Sequence, residues 1–326
     1  MKDYGQIPGG KNEIQPLLYP FHRSYPLKLL SKFRWFRISR LQSLLPSLNK
    51  KRKWLTVIDR LGAPGDALIT ANIIRCIKEN HPNLKINCIT PHPDLIRLDP
   101  DIDSINQPET FYSFDSTYWE LIVRKEKRQN IIEHSMLRLG IDKFDYKASY
   151  YLSEEEKDWA KQETNQFDKP ILAICTKSKE PVKNWPKENW LELIEHLKTN
   201  FSIIQLGDHK EIVFDNVHRY AGKLSMRESA AILSKANYFI GPDSLLMHIA
   251  NGLDIHSTII FGGSRPVGCF GYPENINLVS APECSPCWIH EGYESCVHDF
   301  MCMNAISKNR VIDSLESMLK NKLVRI

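Results

Sequence analysis

Residues 238–253 read Tyr-Phe-Ile-Gly-Pro-Asp-Ser-Leu-Leu-Met-His-Ile-Ala-Asn-Gly-Leu. Tyr238, Phe239 and Ile240 form a short apolar run of the kind found in a buried strand. Gly241-Pro242 makes a tight turn, after which Asp243 or Ser244 is placed to cap a helix. Leu245, Leu246, Ile249, Ala250 and Leu253 then recur on one face of a 3.6-residue period. A strand that feeds a helix in this way presents unpaired N–H groups and the positive end of the helix dipole, a seat for phosphate. An ordinary βα turn that binds nothing has the same local pattern, so the rest of the chain must decide between them.

Working outward, the same strand–turn–helix rhythm recurs in both directions. Trp54–Ile58 reads as a strand, and 60–66, with Gly62 and Gly65, as a Gly-rich turn. Residues 67–80 follow as a helix with Ile69, Ile73, Ile74 and Ile77 on one side, stopped at His81-Pro82. Residues 84–90 and 103–106 read as strands, 93–99, 127–140 and 153–166 as helices. The aromatic-rich stretch 107–126 fits no period. A second series begins with strand 171–175, loop 176–184, helix 187–199, strand 201–206 and helix 226–234, and ends beyond the opening stretch with strand 257–261. Alternation of this kind implies parallel sheets, with ligands expected outside the carboxyl ends of the strands.

The chain has 326 residues, 42% hydrophobic and 25% charged, enough for two cores and without a disorder signature. A net charge of +4 gives no sign of a nucleic-acid partner. No apolar run long enough to span a membrane and no secretory h-region are evident, so a cytoplasmic location is expected. Residues 1–53 stand apart. No acidic residue lies between Ile14 and Asp59, while ten Lys and Arg from Arg23 to Lys53 interleave with apolar residues. This basic amphipathic extension either touches an anionic membrane surface through 22–53, at the inner face of the inner membrane, or packs on the body. Cys284, Cys287, Cys296 and Cys302 form C-x2-C-x8-C-x5-C inside a loop-rich insert, 280–304. Four thiolates suit a tetrahedral structural zinc or iron; four reduced thiols are the alternative. Cys76, Cys88, Cys175 and Cys269 fall on expected core elements.

Four ordered motifs tie these segments together: Gly65-Asp66 before a helix carrying Thr70; Thr176-Lys177 with Lys183-Asn184-Trp185-Pro186; Gly222-Lys223-Leu224-Ser225 heading a helix; and Asp243-Ser244 with Met247-His248-Ile249-Ala250. Over roughly 54–320 the chain resembles glycosyltransferase family 9, the bacterial heptosyltransferases. The resemblance implies a GT-B fold, two Rossmann-like domains facing a cleft: an acceptor domain at 54–150 and a nucleotide-sugar domain at 151–326. It implies an inverting transfer of a heptose or related sugar from a nucleotide-diphosphate donor to a hydroxyl of a surface glycan or lipid-linked saccharide. Asp66 matches the general base, where otherwise it reads as a plain cap, and Lys183 matches the phosphate-binding lysine. Gly62 and Gly65 would let substrate approach the backbone. Thr176 and Lys177 would donate to the diphosphate, with Asp243, Ser244 and the N–H groups of Leu245 to Met247 completing the seat. Leu224 would line the base pocket, Glu211 touch a ribose, and His248 serve the donor site or pack in the core. Leu245 stands where the family usually has Gly. The resemblance implies catalysis without a metal, so Asp99, Asp101 and Asp103 are expected to be a solvated turn. A protein O-heptosyltransferase and a nucleotide-binding assembly protein without transfer activity are the other readings. A dinucleotide dehydrogenase is disfavoured because no G-x-G-x-x-G follows a strand.

Overall fold

The computed structural model describes residues 42–123, 128–288 and 296–323. Among these the chain forms two units, one from residues 42–121 and 129–146, the other holding 122–123, 128 and 147–323. Residues 1–41 and 289–295, which carry most of the basic extension and part of the Cys-rich insert, lie outside the described residues.

The first unit opens with a helix at 42–50 (α1) whose Leu45 and Leu48 are buried. The Gln42 amide donates to the carbonyls of Leu137 and Arg138 at 3.1 and 2.9 Å. This part of the extension thus packs its apolar side on the first unit. Next come β1 (Trp54–Asp59), α2 (Pro64–Asn80), β2 (Lys85–Ile89), α3 (Pro93–Ile96), β3 (Ser104–Ile105), β4 (Ser113–Ser116), α4 (Trp119–Val123) and α5 (Ile131–Leu139). The strands form one parallel sheet in the order β3-β2-β1-β4. Val57 lies opposite both Cys88 and Phe114, and all three are buried. α2 buries the four isoleucines its period picks out. β4 is the strand that sequence alone does not show: Ser-Phe-Asp-Ser has a single large apolar residue, and its place beside β1 comes from backbone pairing.

Of the three aspartates expected in a solvated turn, Asp99 departs from it, while Asp101 is partly exposed and Asp103 exposed. Asp99 is buried and its Oδ1 accepts from the Asp101 N–H at 3.0 Å. Burial, with the charge of Asp101 adding a smaller push, raises its carboxyl to about 6 against the lowering effect of that hydrogen bond. Asp103 bridges Lys85 at 2.6 Å and Lys78 at 3.4 Å.

The second unit contains α6 (Glu154–Thr164), β5 (Ile171–Ile174), a 3-10 turn (Pro181–Lys183), α7 (Lys187–Leu197), β6 (Ser202–Gln205), β7 (His218–Arg219), α8 (Met226–Leu233), β8 (Tyr238–Pro242) and α9 (Leu245–Gly252). It closes with β9 (His256–Gly262), α10 (Val267–Phe270), β10 (Ile276–Val279), α11 (Met301–Asn304) and α12 (Lys308–Leu323). Six parallel strands run β10-β9-β8-β5-β6-β7. On one face Trp190, Leu193, Ile194 and Leu197 of α7 meet Val311, Leu315 and Met318 of α12 over Leu172, Ile174, Ile203 and Ile240. Strand residues of the other parity, among them Ala173, Ile204, Phe239 and Ile259, are equally buried, as a sheet covered on both faces requires. From β5 the chain first builds outward through β6 and β7, then returns to β8 on the other side of β5. The reversal of strand order therefore lies between β5 and β8, where open α/β sheets leave a crevice at their carboxyl ends.

Candidate active site

In the first unit the candidate residues gather where β1 hands over to α2. Asp59 ends β1 and is buried; its Oδ1 accepts from the Gly62 N–H and its Oδ2 from the Thr90 hydroxyl, both at 2.9 Å. This holds the turn, with Gly62 at φ 75° and Pro64-Gly65 opening the helix. Asp66 occupies the third helical position. Its Oδ2 accepts from the Ala63 N–H at 3.1 Å, the return half of a capping box. Its Oδ1 accepts from the Tyr118 hydroxyl at 2.7 Å. At 9% exposure the carboxylate is nearly enclosed, and the helix dipole favours its charged form. A carboxylate oriented by two neutral donors can still accept a proton from an incoming hydroxyl. Tyr118 was not singled out by sequence; the aromatic stretch that hid β4 hid it as well.

In the second unit the candidates converge on the β5/β8 crevice. Thr176 and Lys177 follow β5, Asp243 and Ser244 follow β8, and Lys183 comes from the 3-10 turn between β5 and α7. The loop is firmly seated. Asn184 Oδ1 accepts from the Ser178 N–H at 2.6 Å, and the buried Trp185 donates its indole N–H to the Ile306 carbonyl at 2.7 Å. From this loop the Lys183 ammonium reaches Asp243 at 2.8 Å and Glu180 at 3.3 Å. Burial opposes the charge on Asp243, but Lys183 above the other groups holds its carboxyl below the usual carboxylate range.

This pairing corrects the capping assignment. Asp243 is turned toward Lys183, and Ser244, although it is the N-cap residue, makes no side-chain cap bond. The Met247 N–H is already given to the Ser244 carbonyl at 3.1 Å, and the Met247 side chain is fully buried, so Met247 offers a ligand nothing. The N–H groups of Leu245 and Leu246 are the ones that a helix start leaves for an outside acceptor. Leu245 and Leu224 are each partly exposed.

Thr176 and Glu211 also depart from their expected contacts. The Thr176 N–H and hydroxyl both donate to Glu211 Oε2, and the Lys177 N–H donates to Oε1 at 3.1 Å. Thr176 thus has no donor left for a diphosphate. Glu211 braces the loop from inside, its carboxyl raised by burial against the lowering effect of these bonds. His248 is a packed histidine: it is buried, its Nδ1 lies 2.7 Å from the Tyr272 hydroxyl, and burial, helped by the charge of Lys183, brings it down to about 4. It is neutral at physiological pH.

The four cysteines of the insert line one small cavity of about 20 Å³, close to the size one ion or water fills, together with Val182 and His298. The donor chemistry fits a soft metal. Among the described residues, however, no three His, Cys, Asp or Glu side chains converge as a ligand set as they stand.

Comparison with known proteins agrees with this architecture. Residues 114–298, more than half of the chain, match the profile of glycosyltransferase family 9 (heptosyltransferase). The family 9 glycosyl transferase from Veillonella parvula DSM 2008 is similar at 14% identity and a TM-score of 0.63, over 82% of this chain and 97% of that one. The iron-containing dodecameric glycosyltransferase TibC from enterotoxigenic E. coli H10407 is similar at 19% identity and a TM-score of 0.64, over 82% and 76%. The E. coli ADP-heptose LPS heptosyltransferase II is similar at 14% identity and a TM-score of 0.56, over 82% and 99%. No curated protein sequence matches significantly. A parallel-stranded α/β chain with the GT-B type of fold, matched by this profile over most of its described length, belongs to glycosyltransferase family 9, the heptosyltransferase-like glycosyltransferases.

Proposed function

We propose that this enzyme transfers a heptose or related sugar from a nucleotide-diphosphate donor to a hydroxyl of a surface glycan or lipid-linked saccharide, with inversion at the anomeric carbon. The observation that carries the reading is the Lys183–Asp243 pair, held at the β5/β8 reversal beside the uncapped start of α9. The ammonium has three donors and gives two to Asp243 and Glu180, which leaves one for a diphosphate oxygen. The N–H groups of Leu245 and Leu246 add neutral donors with the helix dipole behind them. In the reaction the acceptor oxygen bonds to the anomeric carbon as the bond from that carbon to the diphosphate oxygen breaks. The electron pair leaves with the diphosphate, and the acceptor proton goes to Asp66. Lys183 offsets the charge that grows on the leaving group. ADP-heptose, the donor in the name of one structural neighbour, is the first donor to test.

The test incubates the protein with ADP-heptose and a lipid-linked core saccharide, and reads the anomeric configuration of the product by NMR. An inverted product is expected, with Asp66→Ala slowed about 10²–10⁴-fold while still folded. Retained configuration, or full activity in that variant, refutes the mechanism.

We also propose that Cys284, Cys287, Cys296 and Cys302 hold a structural zinc or iron ion. What supports this is that four thiols share one ion-sized cavity. The ion would crosslink a segment that has little apolar surface of its own to bury, and takes no part in sugar transfer. Modification of a protein Ser or Thr is the alternative for the acceptor.

A further inference from the structure

Arg265 follows β9 and is 4% exposed, yet no reading of the sequence gave it a role. Its Nη2 lies 3.3 and 3.4 Å from the two carboxylate oxygens of Glu180. Glu180 Oε2 is in turn 3.3 Å from the Lys183 ammonium. A guanidinium, a carboxylate, an ammonium and the Asp243 carboxylate thus form a buried row of alternating charge that ends in the crevice. The other end rests on the Cys-rich insert. The Arg265 guanidinium sits over the Trp288 ring, 5.6 Å from its centre. The Trp288 backbone N–H donates to the Ser264 carbonyl at 3.0 Å, and the Ser285 hydroxyl to the Gly263 carbonyl at 2.6 Å.

We propose that Arg265 is a positioning residue for Lys183, acting through Glu180. The inference rests on the reading of Lys183 as the diphosphate clamp. A buried carboxylate must be compensated, and Glu180 has both cations within reach. While Arg265 spans both of its oxygens, Glu180 draws on the ammonium at one edge only, and Lys183 keeps a donor for the leaving diphosphate. Without Arg265, Glu180 leans on Lys183 alone of the two. The ammonium is then pulled toward the loop and its charge is spent before substrate arrives. A retained charge alone does not fill this role: one nitrogen of a guanidinium seated over Trp288 reaches both oxygens, and a lysine ammonium lacks that planar seat.

The experiment measures ADP binding to the full-length protein by calorimetry. Arg265→Met is expected to weaken binding about tenfold or more, the loss of one charge-assisted contact at the clamp. Arg265→Lys, which keeps the charge and guards against loss of folding, is expected to fall between wild type and Arg265→Met. The decisive variant is Arg265→Met combined with Glu180→Gln. Removing the competing carboxylate releases Lys183, and binding should return to within about threefold of wild type. Urea unfolding of the same variants separates this from a purely structural role, in which binding would be lost and recovered only in step with stability; an unrescued double variant, or binding that merely tracks stability, overturns the proposal. Wild-type affinity in Arg265→Met overturns it as well, leaving the donor-site reading intact. Wild-type protein that does not bind ADP, UDP or their sugar conjugates overturns that reading and this inference together.

Discussion

Replacing Lys183 by Met removes the cation shared by Asp243 and Glu180 and leaves two buried carboxylates facing each other's field. Asp243 is 6% exposed, and burial works against its charge. Breaking a buried pair by deleting one partner typically costs about 3–5 kcal/mol, most of it the cost of the stranded charge. For a unit of this size that corresponds to a drop in Tm of roughly 10 °C. The second variant, Lys183→Met with Asp243→Asn, removes the stranded charge and should recover most of the stability. It should not recover function, because the clamp on the leaving diphosphate is still missing; the rate deficit expected for such a donor is about 10²–10³-fold. Urea unfolding of the three proteins and steady-state transfer with ADP-heptose separate the two effects. A single variant as stable as wild type would show that the pair is not buried as described. A double variant that regains transfer would show that Lys183 serves stability only and that the diphosphate is held elsewhere.

Two more predictions follow from the same region. His248 titrates near 4 in the folded chain against about 6.5 when unfolded, so between these values the unfolded state binds more protons. Stability should therefore rise with pH from about 4 to 6.5, and His248→Gln should flatten that part of the profile in urea titrations at stepped pH; an unchanged slope refutes a neutral packed histidine. Elemental analysis of protein purified without chelator should find close to one zinc or iron per chain, lost together with thermal stability when Cys284 and Cys287 are changed to Ser. Metal-free protein of unaltered stability would leave the four cysteines as plain thiols.

The parts of the fold that sequence shows are those in which neighbours along the chain decide the structure. β1, α2, β8 and α9 are punctuated by Gly and Pro, and their apolar periods are long enough to read. What stays hidden is decided by distant partners. β4 joins the edge of its sheet because Phe114 pairs with Val57 of β1, not because Ser113–Ser116 favours a strand. Asp243 looks like a cap until Lys183, sixty positions earlier, claims it. Glu211 looks like a ligand residue until its oxygens are found on Thr176 and Lys177. The types of residue at the candidate site, an acid after β1 and a lysine before α7, are legible in the sequence; which side chains they bond to, Tyr118 for the one and Asp243 and Glu180 for the other, is not.

The end of β9 is shaped by the loop that packs on it. Gly262, at φ 60°, leaves room for the sulfur of Met303, with which a Cβ would collide. A Cβ on Gly263 would lie 2.6 Å from the Ser285 hydroxyl and 2.9 Å from Cys302 Cβ. The two glycines are a footprint of the thiol-bearing loop, pressed into a strand that precedes it in the chain. A chimera that grafts residues 280–304 onto a homologue must carry this Gly-Gly step as well.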